Sequence, residues 1–235
     1  MKNAQCFAVL TGDVIKSRFL SKGEMTSVRS SLFNAADRMK EWKRGLIRGK
    51  LEFFRGDGWQ LLISEPALAM RAGILLRASL LADGKADSRV SIGIGKVEQI
   101  SSSRVSLSTG EAFLLSGHGL DDMTMYSNMT IEVSEAAGPL RDWLPVIGHL
   151  CDSLIFNWTR RQAEIVCEAV QPDEPSHHEV AQRLKPPVSK QTVTKALKSV
   201  NCHVIRKIIH LFVQTEWRAL PLPVNHRQPQ MAVCR

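Results

Sequence analysis

No Cys-x-x-Cys pair occurs in these 235 residues, and the cysteines, Cys6, Cys151, Cys167, Cys202 and Cys234, are odd in number. Neither a disulfide framework nor a thiolate zinc site is indicated, so a reducing cytoplasm is the expected setting. His177-His178 likewise lacks the spaced partners that zinc requires. No apolar run reaches the eighteen or so residues of a membrane span, because Arg77, His149 and Asp152 interrupt the longest stretches. Met1 to Leu10 lacks the layout of a signal peptide. A soluble protein without a membrane partner is expected. With 44% apolar and 23% charged residues, a disordered or fibrous chain is excluded, and the length fits one ordinary domain or two small ones.

Positive charge is the excess that is present. Lys and Arg number 31 against 23 Asp and Glu, a formal charge of +8, which favours anionic partners such as nucleotides, nucleic acid or acidic lipid. The excess is uneven: residues 1–150 carry net +3, whereas residues 151–235 carry net +5.

Along the chain, the apolar run Cys6 to Leu10 reads as a buried strand, ended by Thr11-Gly12-Asp13, which delivers a carboxylate at its edge. Ser21 and Glu24 form a capping box, and Met25, Val28, Leu32, Ala35 and Met39 mark an amphipathic helix to about Trp42. Leu51 to Phe54 and Trp59 to Ile63 flank Arg55-Gly56-Asp57-Gly58, a hairpin in which Asp-Gly is expected to take the positive φ angles. Pro66 opens a second helix to Ala82 with Gly84 as its cap, and Arg89 to Ile94 reads as a further strand. A short helix from Thr109 to about Ser116 and weaker strands at Met123 to Ser127 and Thr130 to Val133 follow. Strand, helix, hairpin, helix, strand predicts an α+β domain of ferredoxin-like type over residues 1–150, an antiparallel-rich sheet with helices on one face. Residues 151–220 predict a small all-α domain, and 221–235 a frayed tail without periodicity.

Asp13 and Asp57 are the residues on which chemistry could turn, because a ferredoxin-like sheet sets the end of its first strand beside the hairpin. Two converging carboxylates can hold Mg²⁺ or Mn²⁺ and leave the remaining coordination to substrate phosphates. The loop Val14-Ile15-Lys16-Ser17-Arg18, with Gly56 of the hairpin, is placed to present backbone N–H groups and two cations to a polyphosphate. Each acid alone is also ordinary turn chemistry. VLTGDVIKSR resembles the first metal motif of class III nucleotidyl cyclases, FRGDGWQLLI resembles their metal-bearing hairpin, and RVSIGIG the strand after it; the palm-like GGDEF cyclases share the plan. That resemblance covers roughly residues 5 to 125. It implies a palm domain in which Asp13 and Asp57 are metal ligands and Val14 to Arg18 the phosphate cradle. Where cyclases read the purine this chain has Phe53, with Glu52 facing the other side, and where they stabilise the transition state the nearest residues are Leu114 and His118. Losing those charged groups can cost several powers of ten in rate, so binding can persist without cyclisation.

In the basic half, Glu179 to Leu184 followed by Val188 to Val193 resembles the helix-turn-helix of DNA-binding regulators, with Ala181 as the small residue at the helix contact. The Lys185-Pro186-Pro187 connection is longer than usual and lacks glycine. Ser189 caps the second helix. Lys190, Gln191, Thr192, Thr194, Lys195 and Lys198 lie off its Val193, Ala196, Leu197, Val200 stripe, giving an acid-free face for double-stranded DNA. Val204, Ile205, Ile208, Leu211 and Phe212 then form an apolar face for either a homodimer or burial on the domain itself. The complete layout is similar to the SatD-like family of bacterial proteins. The resemblances together imply a nucleotide- and Mg-binding transcription regulator. The alternatives are an active cyclase or nucleotidyltransferase acting on a purine nucleoside triphosphate, and a protein-binding module whose two acids only shape turns.

Overall fold

A computed structural model describes residues 6–101 and 103–219, and the expected tail 221–235 lies outside them. Strands β1 (Cys6–Val14), β2 (Ile47–Phe54), β3 (Gly58–Ile63), β4 (Ser88–Lys96) and β5 (Met129–Val133) form one sheet in the order β2-β3-β1-β4-β5. The first four pair antiparallel, and β5 adds parallel to β4. The molecule is α+β, and its first four strands have the order and directions of a ferredoxin-like unit.

β1 is longer than its apolar run suggests. Gly12 does not end the strand: a Cβ there would collide with the Trp59 ring and the Arg89 carbonyl, so glycine is what lets the strand continue between its neighbours. Asp13 therefore sits within β1, opposite Gly58 on one side and Arg89 on the other. The hairpin also differs in detail, because its positive φ angles fall on Arg55 and Gly56 rather than on Asp57 and Gly58.

α1 (Lys22–Trp42) starts at the Ser21 capping box, and α2 (Ala69–Asp83) stops at Gly84, whose φ is 74°. Both cover the face bearing Ala8, Leu10, Val90 and Ile92. α2 is buried on nearly every side from Ala69 to Ala78, as expected of a helix with protein on both flanks. The opposite face is not open. α3 (Glu111–Asp121) lies on it, where the missing side chain of Gly93 admits the backbone of Ala112 and Ser116. Phe7, Val9, Leu62, Val105 and Ala112 close a second, smaller core there. Met123 to Ser127 is not a strand.

α4 (Leu140–Ile155) follows β5 and spans the expected boundary at residue 150. α5 (Arg160–Ala169), α6 (His177–Arg183), α7 (Lys190–Ser199) and α8 (Cys202–Gln214) complete the described chain, with capping boxes at Thr159 and Ser176 and a Ser189 cap. These helices share the main core. One buried cluster runs from Cys6 to Trp217, and α2 touches both α5 and α8. Among the described residues no helix is long and apolar enough to cross a membrane.

Candidate functional site

The loop after β1 and the β2–β3 turn are adjacent. Val14 N–H donates to the Asp57 carbonyl (3.3 Å), and the Ser17 hydroxyl donates to the Asp57 carboxylate. Arg29, on the second turn of α1, donates to the Gly56 carbonyl (2.6 Å) and lies over the Phe53 ring. Between these elements lies a basin of about 540 Å³. Arg18, Lys22, Arg29 and Arg55 line it, with Asp57 the only acid among its described walls. It also faces the first turns of α1, whose backbone N–H groups and dipole favour an anion. Arg29 carries a buried Nε without a partner among the described residues.

Only part of the expected cradle lines this basin. Ser17, Arg18 and Gly56 do. Val14 is buried, and the Ile15 N–H is used by the Asp87 carbonyl (2.9 Å), so neither amide is free for a phosphate. Lys16 is exposed, in left-handed backbone conformation, and is not among the lining residues. Lys22, Arg29 and Arg55 were not anticipated. The capping box with cations at Lys22 and Arg29, seven apart and thus on one helix face, was the available signal.

The two acids have different partners. Asp13 accepts two hydrogen bonds from Arg89, one from Nε at 2.9 Å and one from Nη2. This bond to Asp13 is the largest influence on Arg89 and raises its pKa; burial opposes it, and the charges of Asp13, Asp121 and Asp57 add to it. Alternation along β1 puts Asp13 on the α3 side with Thr11, which meets Ser116 of α3 at 2.8 Å. Asp57 instead lines the basin. Asp13 and Asp57 thus have separate hydrogen-bond partners among the described residues. No group of three His, Cys, Asp or Glu able to hold a metal occurs among the described residues. Arg89 pairs with Asp13, so a cation at that carboxylate would compete with the Arg89 guanidinium.

Glu52 is likewise occupied. It faces Gln60 across the sheet and accepts from Arg104 and from Ser106 N–H (3.1 Å) and hydroxyl (3.0 Å). Burial raises its pKa, but these bonds and the Arg104 charge together hold it below the usual range. Phe53 packs against Phe33 on the other side. Leu114 and His118 are exposed on α3.

On α7, Val193 and Leu197 are buried, and Lys190, Gln191, Lys195 and Lys198 are exposed. Three hydroxyls are engaged within the protein. Ser189 accepts from the Thr192 N–H (3.1 Å) and meets the Thr192 hydroxyl at 2.9 Å. The Thr194 hydroxyl donates to the Lys190 carbonyl (3.0 Å) and meets His177 Nδ1 at 2.8 Å. His177 and His178 belong to the first turn of α6.

No family model matches the chain, and no curated protein matches it. Among solved structures, the crystal structure of the guanylyl cyclase Cya2 is similar at 21% identity over 55% of this chain and 75% of that one, with a TM-score of 0.38.

Proposed function

We propose that the chain binds a purine nucleotide by its phosphates in the basin between α1 and the β2–β3 turn, and that the α6–α7 pair binds double-stranded DNA under control of that nucleotide. The observation that carries the nucleotide reading is the gathering of Arg18, Lys22, Arg29 and Arg55 along the first turns of α1, with Asp57 the only acid among the described lining residues and Glu24 of the same helix engaged in its capping box with Ser21. Guanidinium groups match phosphate oxygens in forked geometry, and a helix N-terminus adds donors of the same sense. Support for the DNA reading is the exposed, acid-free row Lys190, Gln191, Lys195 and Lys198. In this reading a divalent cation, Mg²⁺ or Mn²⁺, arrives on the nucleotide phosphates and is not resident on Asp13.

Binding without turnover is the form the site favours. An active cyclase needs Asp13 released from Arg89 and charged groups where Leu114 and His118 stand. The test is calorimetric titration of the full chain with ATP, GTP, the monophosphates and the nucleosides, alongside product analysis. Affinity is expected to rise with phosphate number, and Arg55→Ala to weaken triphosphate binding about tenfold, the loss of one charge-assisted contact. Equal affinity for nucleoside and triphosphate overturns the phosphate site. Pyrophosphate release overturns the binding-only form and favours the enzyme.

A further inference from the structure

Where α2, the end of α5 and α8 meet, a second cavity of about 550 Å³ opens. One wall is the face of α8 that carries His203, Arg206, Lys207 and His210, spaced so that they stack along the helix. The floor is Arg71 of α2, 6% exposed. Arg71 Nη1 donates to the Val170 and Gln171 carbonyls (2.7 and 2.9 Å), and Arg206 Nη2 to the Ala169 carbonyl (2.9 Å). These bonds satisfy acceptors that the end of α5 leaves open, but they do not use every donor. Arg71 Nε is buried without a partner among the described residues, an arrangement that costs free energy unless an acceptor is supplied. Burial is also the largest influence on the Arg71 pKa and lowers it, the direction that an added negative charge would offset.

Two further features of the lining define what the cavity suits. Glu174 is the only acid among the described residues of the lining, against two arginines, one lysine and two histidines. Ala169, Ile209 and Leu211 provide apolar wall, so a fully hydrated ion would leave much of the cavity unmatched. We infer that this cavity binds a small amphipathic organic anion, its acidic head meeting Arg71, Arg206 and Lys207 and its apolar body lying on Ile209 and Leu211. The site is separate from the nucleotide basin and does not depend on that reading.

The probe is 1-anilinonaphthalene-8-sulfonate, an apolar anion of fitting size, titrated by fluorescence into the folded full chain, with uncharged N-phenyl-1-naphthylamine as its neutral counterpart. One saturable site is expected, with at least tenfold weaker binding of the neutral compound. Lys207→Glu reverses a charge on an exposed position without touching the α5 carbonyls, so it should preserve the thermal transition and weaken the sulfonate at least tenfold. Arg141→Glu, an equal charge change on α4, should leave binding unchanged. Unchanged binding in Lys207→Glu, an equal loss in Arg141→Glu, or equal affinity for the neutral compound overturns the proposal.

Discussion

Asp13 and Asp57 stand at neighbouring points of the sheet, since Asp13 is opposite Gly58, yet Arg89 and Ser17 draw their carboxylates into separate roles. The spacing of the two acids was legible in the sequence. Their partners were not, because Arg89 reaches Asp13 through the register of β1 against β4, which depends on Gly12 keeping the strand straight beneath Trp59. Ser17, Arg18 and the turn at Gly56 could be read from the motif, but Arg29 and Arg55 required knowing which side of the hairpin α1 approaches. If Arg89 is what keeps Asp13 from a cation, Arg89→Ala should create metal affinity where little existed. Electron paramagnetic titration with Mn²⁺, without nucleotide, should show binding strengthened about tenfold or more, the scale set by unmasking one carboxylate charge. Stability should change by no more than about 1 kcal/mol, because the pair is partly exposed. Tight Mn²⁺ binding by the unmodified chain would refute the masking argument.

Among the elements, α2 joins the two halves. Arg77 is fully buried on it and holds Asp87 before β4 through bonds of 3.0 and 2.5 Å, and Asp152 of α4 through one of 2.6 Å. Asp152 also accepts from the Asn128 N–H (2.8 Å), so the same group fixes the approach to β5. In the sequence Arg77 could be read only as a break in an apolar stretch. α4 has no counterpart in the sequence reading: Pro145 is accommodated within the helix despite its low helix propensity, and Gly148 lets the helix lie against the β5 backbone at Thr130 and Met129. Strands and capped helices with clear periodicity, such as α1 and β3, had no such conflict. Arg77→Met would strip the partner from two carboxylates, one of them buried, and is expected to cost about 3 to 5 kcal/mol in urea denaturation. A loss below about 1 kcal/mol would mean that Asp87 and Asp152 are hydrated and that α2 is joined to α4 by apolar packing alone.

For the molecule as a whole, the placement of charge and the continuity of the core bear on one question, how the proposed contact of the basic half with nucleic acid is to be tested. The described residues 151–219, with ten Lys and Arg against seven Asp and Glu, belong largely to helices that share a core with α2, and Arg38–Glu168 and Trp42–Gln171 contacts (3.0 and 2.8 Å) tie α1 to the α5 region as well. α7 is thus carried on a body that includes the basin's own helix, α1, and DNA affinity is best measured on the full chain. Each phosphate neutralised by a lysine releases counterions, so affinity should fall steeply with salt. On the proposed reading, in which their ammonium groups meet the DNA backbone, Lys190→Ala, Lys195→Ala and Lys198→Ala should each weaken binding to every sequence and reduce the salt slope by about one unit. Gln191→Ala should instead lower discrimination at one base position by roughly 1 to 3 kcal/mol, while Thr194→Ala should do less, its hydroxyl being already held by Lys190 and His177. A salt slope unaffected by all three lysine substitutions would remove α7 from the interface and leave the basic excess as a solvated surface.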